Sequence, residues 1–505
     1  MSGGLLLRNG EAVAATRLPV LPVPEWREAI LDAVDGRARI SSLFGHREPD
    51  GRVRLTAVLA RDAASTLEVL CADPGDVYPA LTPECPQAHL FEREIAEQWA
   101  IRPEGHPWFK PVRFHRPLRD VEPVLPECAA AEIQPCVTRF FRMDGDEIHE
   151  VAVGPVHAGI IEPGHFRFQC HGETVFHLEI SLGYQHRGVE RALVGGPDAR
   201  SIHYAETLAG DTTIGHATAY SQAIEALAAC RVPARAHLLR ALALELERLA
   251  NHTGDLGALA ADVGYLPTSA YCGRIRGDFL NLTALLCGSR FGRRFVRPGG
   301  VTFDLEAARL QEMAGRFEQA MKDVTVAVNL LWETNSVRAR FEETGIVPEQ
   351  AALEIGLVGP AARASGRERD ARVDFPSGAY RFIQPPISTA PGGDVQARAY
   401  VRWLEIQRSA DFIRDVFKAM VPGEFRAAPG PLKPESFVVT MVEGWRGEIC
   451  HAALTDERGR LRRYKVVDPS FHNWFGLALA LRGQPISDFP LCNKSFNLSY
   501  CGHDL

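Results

Sequence analysis

The sequence contains no CxxC pair, although it has 11 cysteines. The closest two are Cys128 and Cys136, and the total is odd. Cysteine pairs at CxxC spacing are common metal ligands, and an even set of cysteines usually marks a disulfide framework. We therefore expect buried free thiols rather than disulfides or a CxxC metal site.

Long apolar runs are also missing. Stretches such as Leu477 to Leu481 and Phe437 to Val442 are far shorter than the roughly 20 residues needed to cross a bilayer. The first residues, Met-Ser-Gly-Gly-Leu-Leu-Leu-Arg, lack a charged segment ahead of a long apolar core, so no secretory signal is indicated. We expect no membrane-spanning segment and a location inside the cell.

Motifs for independent nucleotide or zinc chemistry are absent from the sequence. It has no GxGxxG after a predicted strand, no GxxxxGK[ST] and no HExxH. Lys and Arg number 56 against 63 Asp and Glu, giving a formal net charge of -7, so no summed positive field would hold nucleic acid. With 46% hydrophobic and 24% charged residues, the chain has an ordinary globular composition.

The apolar pattern divides the chain into three parts and predicts an α+β fold. Residues 1–120 read as a small α/β-sandwich-like domain, with a short helix at Trp26 to Val34 and alternating strands such as Arg52 to Leu59. Residues 121–145, rich in proline and glutamate, read as a linker. Residues 146–505 form the large domain.

The large domain is predicted to have a helical-bundle core and peripheral β-structure. A β-rich entry covers Glu147 to Leu182, and a closing β-hairpin is predicted from Phe437 to Val442 and Arg462 to Val467. Helices are predicted where apolar residues recur at i, i+3, i+4 and i+7: Ile214 to Ala229, Ala234 to Leu256, Leu305 to Glu333 and Asp394 to Val421. Bundle packing is sufficient to explain these apolar stripes.

A concentration of histidines follows the linker: His157, His165, His171, His177 and His186. Histidine titrates near neutral pH, so such a group can take up protons beside a redox centre or bind metal. Exposed histidines on a β-rich surface are the plainer explanation.

A second candidate site combines a phenol and guanidinium groups. Tyr220 lies on a predicted helix, and Arg274-Ile-Arg276 is an arginine-rich stretch further along the chain. Together they could hold a polar head group. A packed phenol with solvated arginines explains the same residues without a ligand.

Motifs in the first part resemble a known family. Phe91-Glu-Arg-Glu-Ile-Ala-Glu-Gln-Trp-Ala-Ile-Arg-Pro-Glu-Gly-His106-Pro and Arg116-Pro-Leu-Arg119-Asp120 resemble the signature of the C (30-kDa-type) subunit of respiratory complex I. The resemblance implies a C-like domain at the start of the chain.

Motifs in the second part resemble the complex I D (49-kDa-type) subunit and the large subunit of membrane-bound [NiFe] hydrogenases. These are Gly154-Pro-Val-His157, Gly183-Tyr-Gln-His186-Arg-Gly-Val-Glu190, Glu245-Leu-Glu247-Arg248-Leu-Ala-Asn-His252, Arg297-Pro-Gly-Gly-Val301, Gly356 to Gly366, Gly393-Asp394-Val and Asp468-Pro-Ser-Phe471. A fused C-plus-D chain looks most like the large subunit of hydrogenase-4 or formate hydrogenlyase.

The resemblance also exposes departures at the metal ligands. These hydrogenases hold nickel and iron with four cysteines in two CxxC pairs, because thiolates are the soft ligands such a centre needs. Here the four positions fall on Ala209, Thr212, Cys501 and Asp504. Because the sequence ends at Leu505, we also expect no extension of the kind that hydrogenase maturation removes. We expect no nickel–iron centre and no other cofactor held by this chain; a true hydrogenase with unusual ligands is the alternative.

The quinone pocket of complex I is only partly matched. The family tyrosine that faces a quinone aligns near Gly210, whereas Tyr220 matches a second family tyrosine. His157 matches the first histidine of the family's quinone loop, and His165 is a neighbouring candidate. A quinone therefore stays open as a ligand, with His157, His165, Tyr220, Arg274 and Arg276 as binding candidates and His157 and His216 as catalytic candidates.

The resemblance implies a peripheral subunit, on the cytoplasmic face of the membrane, of a complex-I-like or hydrogenase-4-like oxidoreductase. The implied partners are a small iron-sulfur (B-type) subunit that carries the cluster, antiporter-like membrane subunits and quinone-channel membrane subunits. A scaffold that lost its active cavity is the non-enzymatic alternative.

A structural expectation follows for the end of the chain. The segment with Cys501, His503 and Asp504 should lie close to Ala209, Thr212 and His216, because two halves of a former metal cage converge if the fold is retained. Hydrogen bonds among Asp211, Thr212, His216 and Asp504 should fill the space, since buried polar groups need partners.

Overall fold

The computed structural model describes residues 3–505. Its first part is a small α+β unit in which β1, β6, β5 and β4 lie side by side and β3 pairs with β6. The elements are β1 Leu5–Leu7, β2 Val13–Ala14, β3 Val20–Leu21, α1 Val23–Asp35, β4 Arg39–Arg47, β5 Val53–Arg61, β6 Thr66–Ala72, β7 Val77–Pro79, α2 His89–Trp99 and β8 Arg102–Glu104. The predicted short helix and the alternating strands are confirmed.

An antiparallel three-stranded sheet opens the second part, in the order β11-β10-β9. Its strands are β9 Ile148–Val153, β10 His165–His171 and β11 Thr174–Ser181. Residues 121–145 before it form no helix or strand apart from a short 3-10 turn.

The helical core follows this sheet. Its elements are α3 Val189–Leu193, α4 Ser201–Glu206, α5 Thr213–Leu227, α6 Ala234–Asp262, α7 Leu266–Cys287, β12 Val296–Arg297, β13 Gly300–Val301, α8 Ala307–Glu333, α9 Asn335–Phe341, α10 Glu349–Glu354, α11 Gly359–Arg363, α12 Ala371–Asp374 and α13 Val395–Ala419. The four predicted long helices are confirmed, and α6 packs against both α7 and α13. The apolar periodicity of the sequence does not predict α7.

The predicted closing hairpin is wrong in two respects. The last strands are three, β14 Ser436–Gly444, β15 Gly447–Thr455 and β16 Leu461–Val467, and three helices follow them, α14 Pro469–Ala480, α15 Phe489–Phe496 and α16 Tyr500–Asp504. The turn signals Gly444-Trp-Arg-Gly and Asp456-Glu-Arg-Gly separate the two predicted strands, and no strand is predicted between these turns. Within residues 3–505, no helix has the length and apolar content needed to cross a bilayer.

The sheet of β14, β15 and β16 joins the two parts of the molecule. β2 from the N-terminal part pairs with β14 and extends this sheet. Successive strand residues face opposite sides, so Val438 and Val442 pack into the helical core, while Val439 and Met441 pack against the N-terminal unit. Both faces of the sheet are therefore buried, and the N-terminal unit shares its core with the end of the chain.

Candidate functional site

The C-terminal helix α16 returns to the loop that precedes α5. Arg187 bridges the two segments, donating to the carbonyl oxygens of Leu208 at 3.0 Å and Cys501 at 3.1 Å. The backbone N–H of Gly210 faces the Cys501 thiol. The expected convergence of the two former cage segments is therefore present in the fold.

Gly502 brings α16 against the residues around His216. A Cβ atom at Gly502 would lie 2.7 Å from the carboxylate carbon of Asp468, so only glycine permits this approach. Asp468 in turn contacts the ring of His216. The end of the chain thus meets the start of α5 through one carboxylate.

Asp504 does not make the hydrogen bonds expected of it. Its Oδ1 accepts from the backbone N–H of Gly183 at 2.8 Å, and its Oδ2 accepts from that of Gln185 at 2.9 Å. The ring Nδ1 of His503 lies 3.0 Å from the same Oδ1. Asp504 therefore fastens the 183–185 turn and makes no bond to Asp211, Thr212 or His216.

The last carbonyl groups are held from both parts of the molecule. Leu505 is 2% exposed, and its carbonyl oxygen accepts from the backbone N–H groups of Arg187 and Gly188. Arg113, from the N-terminal part, donates to the His503 carbonyl through Nε at 3.0 Å and Nη2 at 2.8 Å. The C-terminal segment is thereby built into the interior.

Thr212 and Asp211 are paired with an arginine that sequence analysis did not select. Arg446 binds both carboxylate oxygens of Asp211, at 2.5 and 2.8 Å, and donates to Thr212 Oγ1 at 3.3 Å. Its guanidinium stacks on Trp445 at 3.9 Å. In the sequence, Gly444-Trp-Arg-Gly carries only the pattern of a turn, which does not indicate this contact.

His216 belongs to a buried chain of four hydrogen-bonding side chains. Its Nε2 lies 2.9 Å from Asp468 Oδ2, and its Nδ1 lies 3.1 Å from His451 Nε2. His451 Nδ1 lies 2.9 Å from the Tyr464 hydroxyl. One set of tautomers satisfies every contact: Tyr464 donates to His451, His451 to His216, and His216 to Asp468. We call these residues the Asp468–Tyr464 relay.

The charges in this relay are set by burial and by its own contacts. Burial, and next the neighbouring His216, hold the pKa of His451 well below its ordinary value. Burial alone would raise the pKa of Asp468, but the hydrogen bond from His216 and the positive charge of Arg446 hold it below its usual range. The relay thus carries an ionised carboxylate at one end and a neutral imidazole inside it.

The histidine-rich stretch does not form one cluster. His157 Nε2 lies 2.9 Å from the Gly164 carbonyl oxygen, and His165 contacts Gly154 and Arg167. His171 pairs with Glu147 at the surface, the His177 ring lies 4.6 Å from the Phe141 ring in a tilted arrangement, and His186 lies 2.8 Å from the Asp504 carbonyl oxygen. Only His186 therefore contacts the C-terminal segment directly.

The loop between β9 and β10 connects His157 to the site indirectly. Glu162 in this loop accepts from the Cys501 backbone N–H at 3.3 Å. Burial, and next Arg167, lower the pKa of His165. Val156 and Ile160 on the same loop are 75% and 87% exposed, so an apolar loop borders the C-terminal segment.

Tyr220 and the arginines are not brought together. Tyr220 is 1% exposed, and its ring centroid lies 5.8 Å from that of Tyr464. Arg274 is exposed on α7 and pairs with Asp278 and Asp323. Arg276 packs against Gly254 on α6. The proposed head-group pair is therefore corrected to a core phenol and separate surface arginines.

A fully buried charge network fills the helical core, and sequence analysis did not predict it. Glu405 is its centre, with Arg363 at 2.5 Å, Arg248 at 2.9 Å and His252 at 3.0 Å. The remaining members are Glu245, Asp370, Arg372 and Glu443. Several residues of the family-like motifs therefore meet in one interior network.

Glu247, from the same motif, faces the start of α5. Its carboxylate accepts from the backbone N–H groups of Ile214 at 2.7 Å and Gly215 at 3.2 Å. Burial outweighs these bonds and raises the pKa of Glu247 to about 8. The first turn of α5 is thus capped by a carboxyl group that titrates near neutral pH.

We expect this carboxyl group to make stability depend on pH. In the unfolded chain it ionises near its ordinary pKa of 4.5, and in the folded chain at about 8. Between these values the folded state keeps a proton that the unfolded state has lost, so the free energy of unfolding falls as pH rises, by at most about 1.4 kcal/mol per pH unit.

Denaturant unfolding at pH 5.5, 6.5 and 7.5 of the wild type and the Glu247→Gln variant measures this contribution. Glutamine does not ionise, so the unfolding free energy of the variant should lack the decrease with pH that Glu247 causes. The difference in unfolding free energy between the two proteins should therefore change steadily with pH. A difference that is constant across the three pH values would contradict the assignment.

The chain is similar to a known protein family and to several characterised proteins. Residues 262–431 match the family described as respiratory-chain NADH dehydrogenase, 49-kDa subunit. Formate hydrogenlyase subunit 5 of Escherichia coli K12 is 27% identical over 91% of this chain and 84% of its own length. The carbon monoxide-induced hydrogenase of Rhodospirillum rubrum is 29% identical over 69% of this chain and 97% of its length.

A relative from complex I matches more of its own length than of this chain. The D subunit of the NADH-quinone oxidoreductase of Dehalococcoides mccartyi is 30% identical over 66% of this chain and 92% of its own length. The match to formate hydrogenlyase subunit 5 leaves far less of this chain uncovered.

Proposed function

Because the chain belongs to the family of the 49-kDa subunit of respiratory-chain NADH dehydrogenase, we propose that it is a catalytic-module subunit of a membrane-bound oxidoreductase complex and holds no nickel–iron centre of its own. The observation that carries the proposal is the convergence of α16 on the loop before α5, where three of the four former ligand positions, Ala209, Thr212 and Asp504, cannot supply a thiolate. The hydrogenase and NADH-quinone oxidoreductase relatives support the reaction class.

The donors at the converged segments do not fit a nickel–iron centre. Ala209 has no ligand atom, and Thr212 carries a hydroxyl already bonded to Asp211. Both carboxylate oxygens of Asp504 accept from backbone N–H groups. Burial, and next the nearby Glu162, raise the pKa of Cys501 to about 11, and this single cysteine cannot replace the four thiolates of the family centre.

A quinone is the weaker candidate ligand at the converged segments. Gly210 offers no phenol to hydrogen-bond a quinone carbonyl, and the ring of His216 has no exposed surface. His157 already contacts the Gly164 carbonyl oxygen through Nε2. A quinone would therefore need donors other than the ones that the family resemblance supplies.

The residues that are present suit proton handling. The Asp468–Tyr464 relay lines up donors and acceptors at hydrogen-bond distance in a dry interior, which keeps a proton on defined atoms. Its carboxylate end meets α16, where the family's active cavity would lie. We propose that this relay holds and passes protons while partner subunits carry the electrons.

The proposed partners follow from the family and from the surface. They are a small iron-sulfur (B-type) subunit, antiporter-like membrane subunits and quinone-channel membrane subunits, with this chain attached peripherally at the cytoplasmic face. The exposed Val156 and Ile160 beside the site support a covered surface at this loop, because apolar patches on soluble faces commonly mark interfaces.

Nickel analysis of the purified complex tests the central proposal. We expect much less than one nickel per chain, because three of the four former ligand positions lack a thiolate. The variant Ala209→Cys/Thr212→Cys/Asp504→Cys restores the ligand set, and Cys501→Ser serves as the control that removes the remaining sulfur. About one nickel per chain in the wild type, lost in Cys501→Ser, would overturn the proposal.

A further inference from the structure

The buried charge network of the helical core contains more acids than bases. Its guanidinium groups are those of Arg248, Arg363 and Arg372. Its carboxyl groups are those of Glu245, Asp370, Glu405 and Glu443. Each of these side chains is at most 2% exposed, so water screens their charges little. Within residues 3–505, no fourth Lys or Arg side chain forms an ion pair with these carboxyl groups, which leaves one of them without a matching positive charge.

The charged groups around this network are paired with one another. Their ion pairs are Arg39 with Glu448 and Asp62, Arg369 with Asp62, Arg402 with Asp255, and Arg240 with Glu225. Asp374 adds a further carboxyl group at the partly exposed edge of the network. The neighbouring groups therefore do not correct the excess of one carboxyl group.

His252 contacts the network without supplying the missing charge. Its Nε2 lies 3.0 Å from Glu405 Oε2, and its Nδ1 is buried with no hydrogen-bond partner among residues 3–505. A second proton on this ring would place an N–H of a charged group in the interior without an acceptor, which is costly. Burial accordingly lowers the pKa of His252, so the imidazole is neutral.

Glu443 and Asp370 compete for one guanidinium nitrogen. Arg363 Nη1 lies 2.8 Å from Glu443 Oε1 and 3.6 Å from Asp370 Oδ2. Asp370 is better compensated, because Arg372 donates to both of its oxygens, at 2.9 and 2.6 Å. Two ionised carboxyl groups at one site disfavour each other, and burial and next the charge of Asp370 raise the pKa of Glu443. Glu443 is therefore the member that keeps a proton most easily.

A small cavity connects this carboxyl group to the surface. Its volume is about 20 Å³, and Glu443 lines it together with Arg372 and Tyr380. A volume of this size has room for one water molecule. Gln222 and His237, which are partly exposed, line the same cavity. A proton on Glu443 can therefore exchange with solvent although the side chain is buried.

The hairpin turn after Glu443 links the network to the converged segments. Arg248 donates to the carbonyl oxygens of Glu443 at 2.7 Å and Gly444 at 3.2 Å. In the same turn, Trp445 Nε1 donates to the Asp211 carbonyl oxygen at 3.1 Å. The charge of Glu443 therefore lies on the turn that holds the loop before α5.

We propose that this network is a second proton-holding site of the chain, in which Glu443 carries one exchangeable proton at neutral pH. With that proton bound, three carboxylates face three guanidinium groups and the network has no net charge. When base removes the proton, the carboxyl O–H bond breaks, the proton passes through the cavity to water or hydroxide, and an uncompensated carboxylate stays behind. The site shares no residue with the Asp468–Tyr464 relay, and its occupancy is independent of the redox function proposed above.

Infrared spectroscopy of the full-length chain at pH 6 and pH 9 detects this proton directly, because the C=O stretching band of a protonated carboxyl group is separate from the bands of carboxylates. The test variant is Glu443→Gln, which resembles the protonated acid in shape and charge. The matched control is Glu247→Gln, since Glu247 is a buried carboxyl group with a pKa of about 8 outside the network.

We expect the pH 6 minus pH 9 spectrum of the wild type to contain a carboxyl band that Glu443→Gln removes and Glu247→Gln retains. Glu443→Asp, which keeps a carboxyl group, should move this band instead. In denaturant at pH 6, Glu443→Gln should shift the unfolding midpoint by less than half of the shift that Glu405→Gln causes.

Three results would overturn the proposal. The first is a Glu443→Gln spectrum that keeps every carboxyl band of the wild type. The second is an unfolding midpoint shifted as far by Glu443→Gln as by Glu405→Gln, which would show that Glu443 is ionised. The third is a band that Asp370→Asn removes and Glu443→Gln does not, which would assign the proton to Asp370.

Discussion

The Glu405→Gln variant is expected to lose about 3–5 kcal/mol of unfolding free energy, the typical cost of removing one partner from a buried ion pair. Glu405 lies on α13 with its side chain fully buried, and its two oxygens accept from Arg363, Arg248 and His252. Glutamine keeps the shape but not the charge. The two arginines would then keep buried positive charge with less compensation.

The comparison is with an ion pair at the surface. Glu318 on α8 binds Arg414 in a two-bond geometry at 2.8 and 2.9 Å, with both side chains more than a third exposed. Water screens such a pair, so Glu318→Gln should cost less than about 1 kcal/mol. Equal effects of the two variants in denaturant unfolding would show that the interior network does not behave as a dry charge cluster.

Deleting Cys501 to Leu505 is the second change with a large expected effect, a loss of about 5 kcal/mol. The deletion removes the acceptors of Gly183, Gln185, Arg187, Gly188 and Arg113. Each interior donor left without an acceptor costs about 1 kcal/mol or more, and the vacated volume adds a cavity cost.

Hydrogen exchange locates this loss. The backbone amides of Gly183, Gln185, Arg187 and Gly188 should exchange much faster in the deletion variant, because their acceptors belong to the missing residues. Cys501→Ala, which keeps every one of those acceptors, is the matched control and should leave these amides protected. Protection of these four amides that survives the deletion would refute the role given to the last five residues.

The long helices were predictable because a stripe of apolar residues has to face the core at helical spacing. Residues of α6, α8 and α13 follow this rule over many turns. The sequence pattern did not predict α7, because Gly273 and Gly277 interrupt it and glycine has low helix propensity. Its buried residues nevertheless keep the helical spacing.

The approach of the chain end to α5 was predictable from resemblance, but its hydrogen bonds were not. Asp504 bonds to backbone N–H groups, which every residue has, so no sequence pattern marks Gly183 and Gln185 as its partners. His451 and Tyr464 were missed because each looks like an ordinary residue of an alternating strand. Their hydrogen bonds to each other and to His216 form only when β15 pairs with β16 and packs against α5.

The shared sheet has a consequence for the order in which the chain folds during synthesis. β2 pairs with β14, and the N-terminal unit packs on residues from Phe437 to Phe471. At about 5–20 residues per second on the ribosome, these partners emerge roughly 20–90 s after β2. Through that interval the apolar face of the N-terminal unit that packs against β14 to β16 is exposed to solvent. A chaperone that binds apolar surface should therefore bind the nascent chain there and dissociate once β14 to β16 are synthesised.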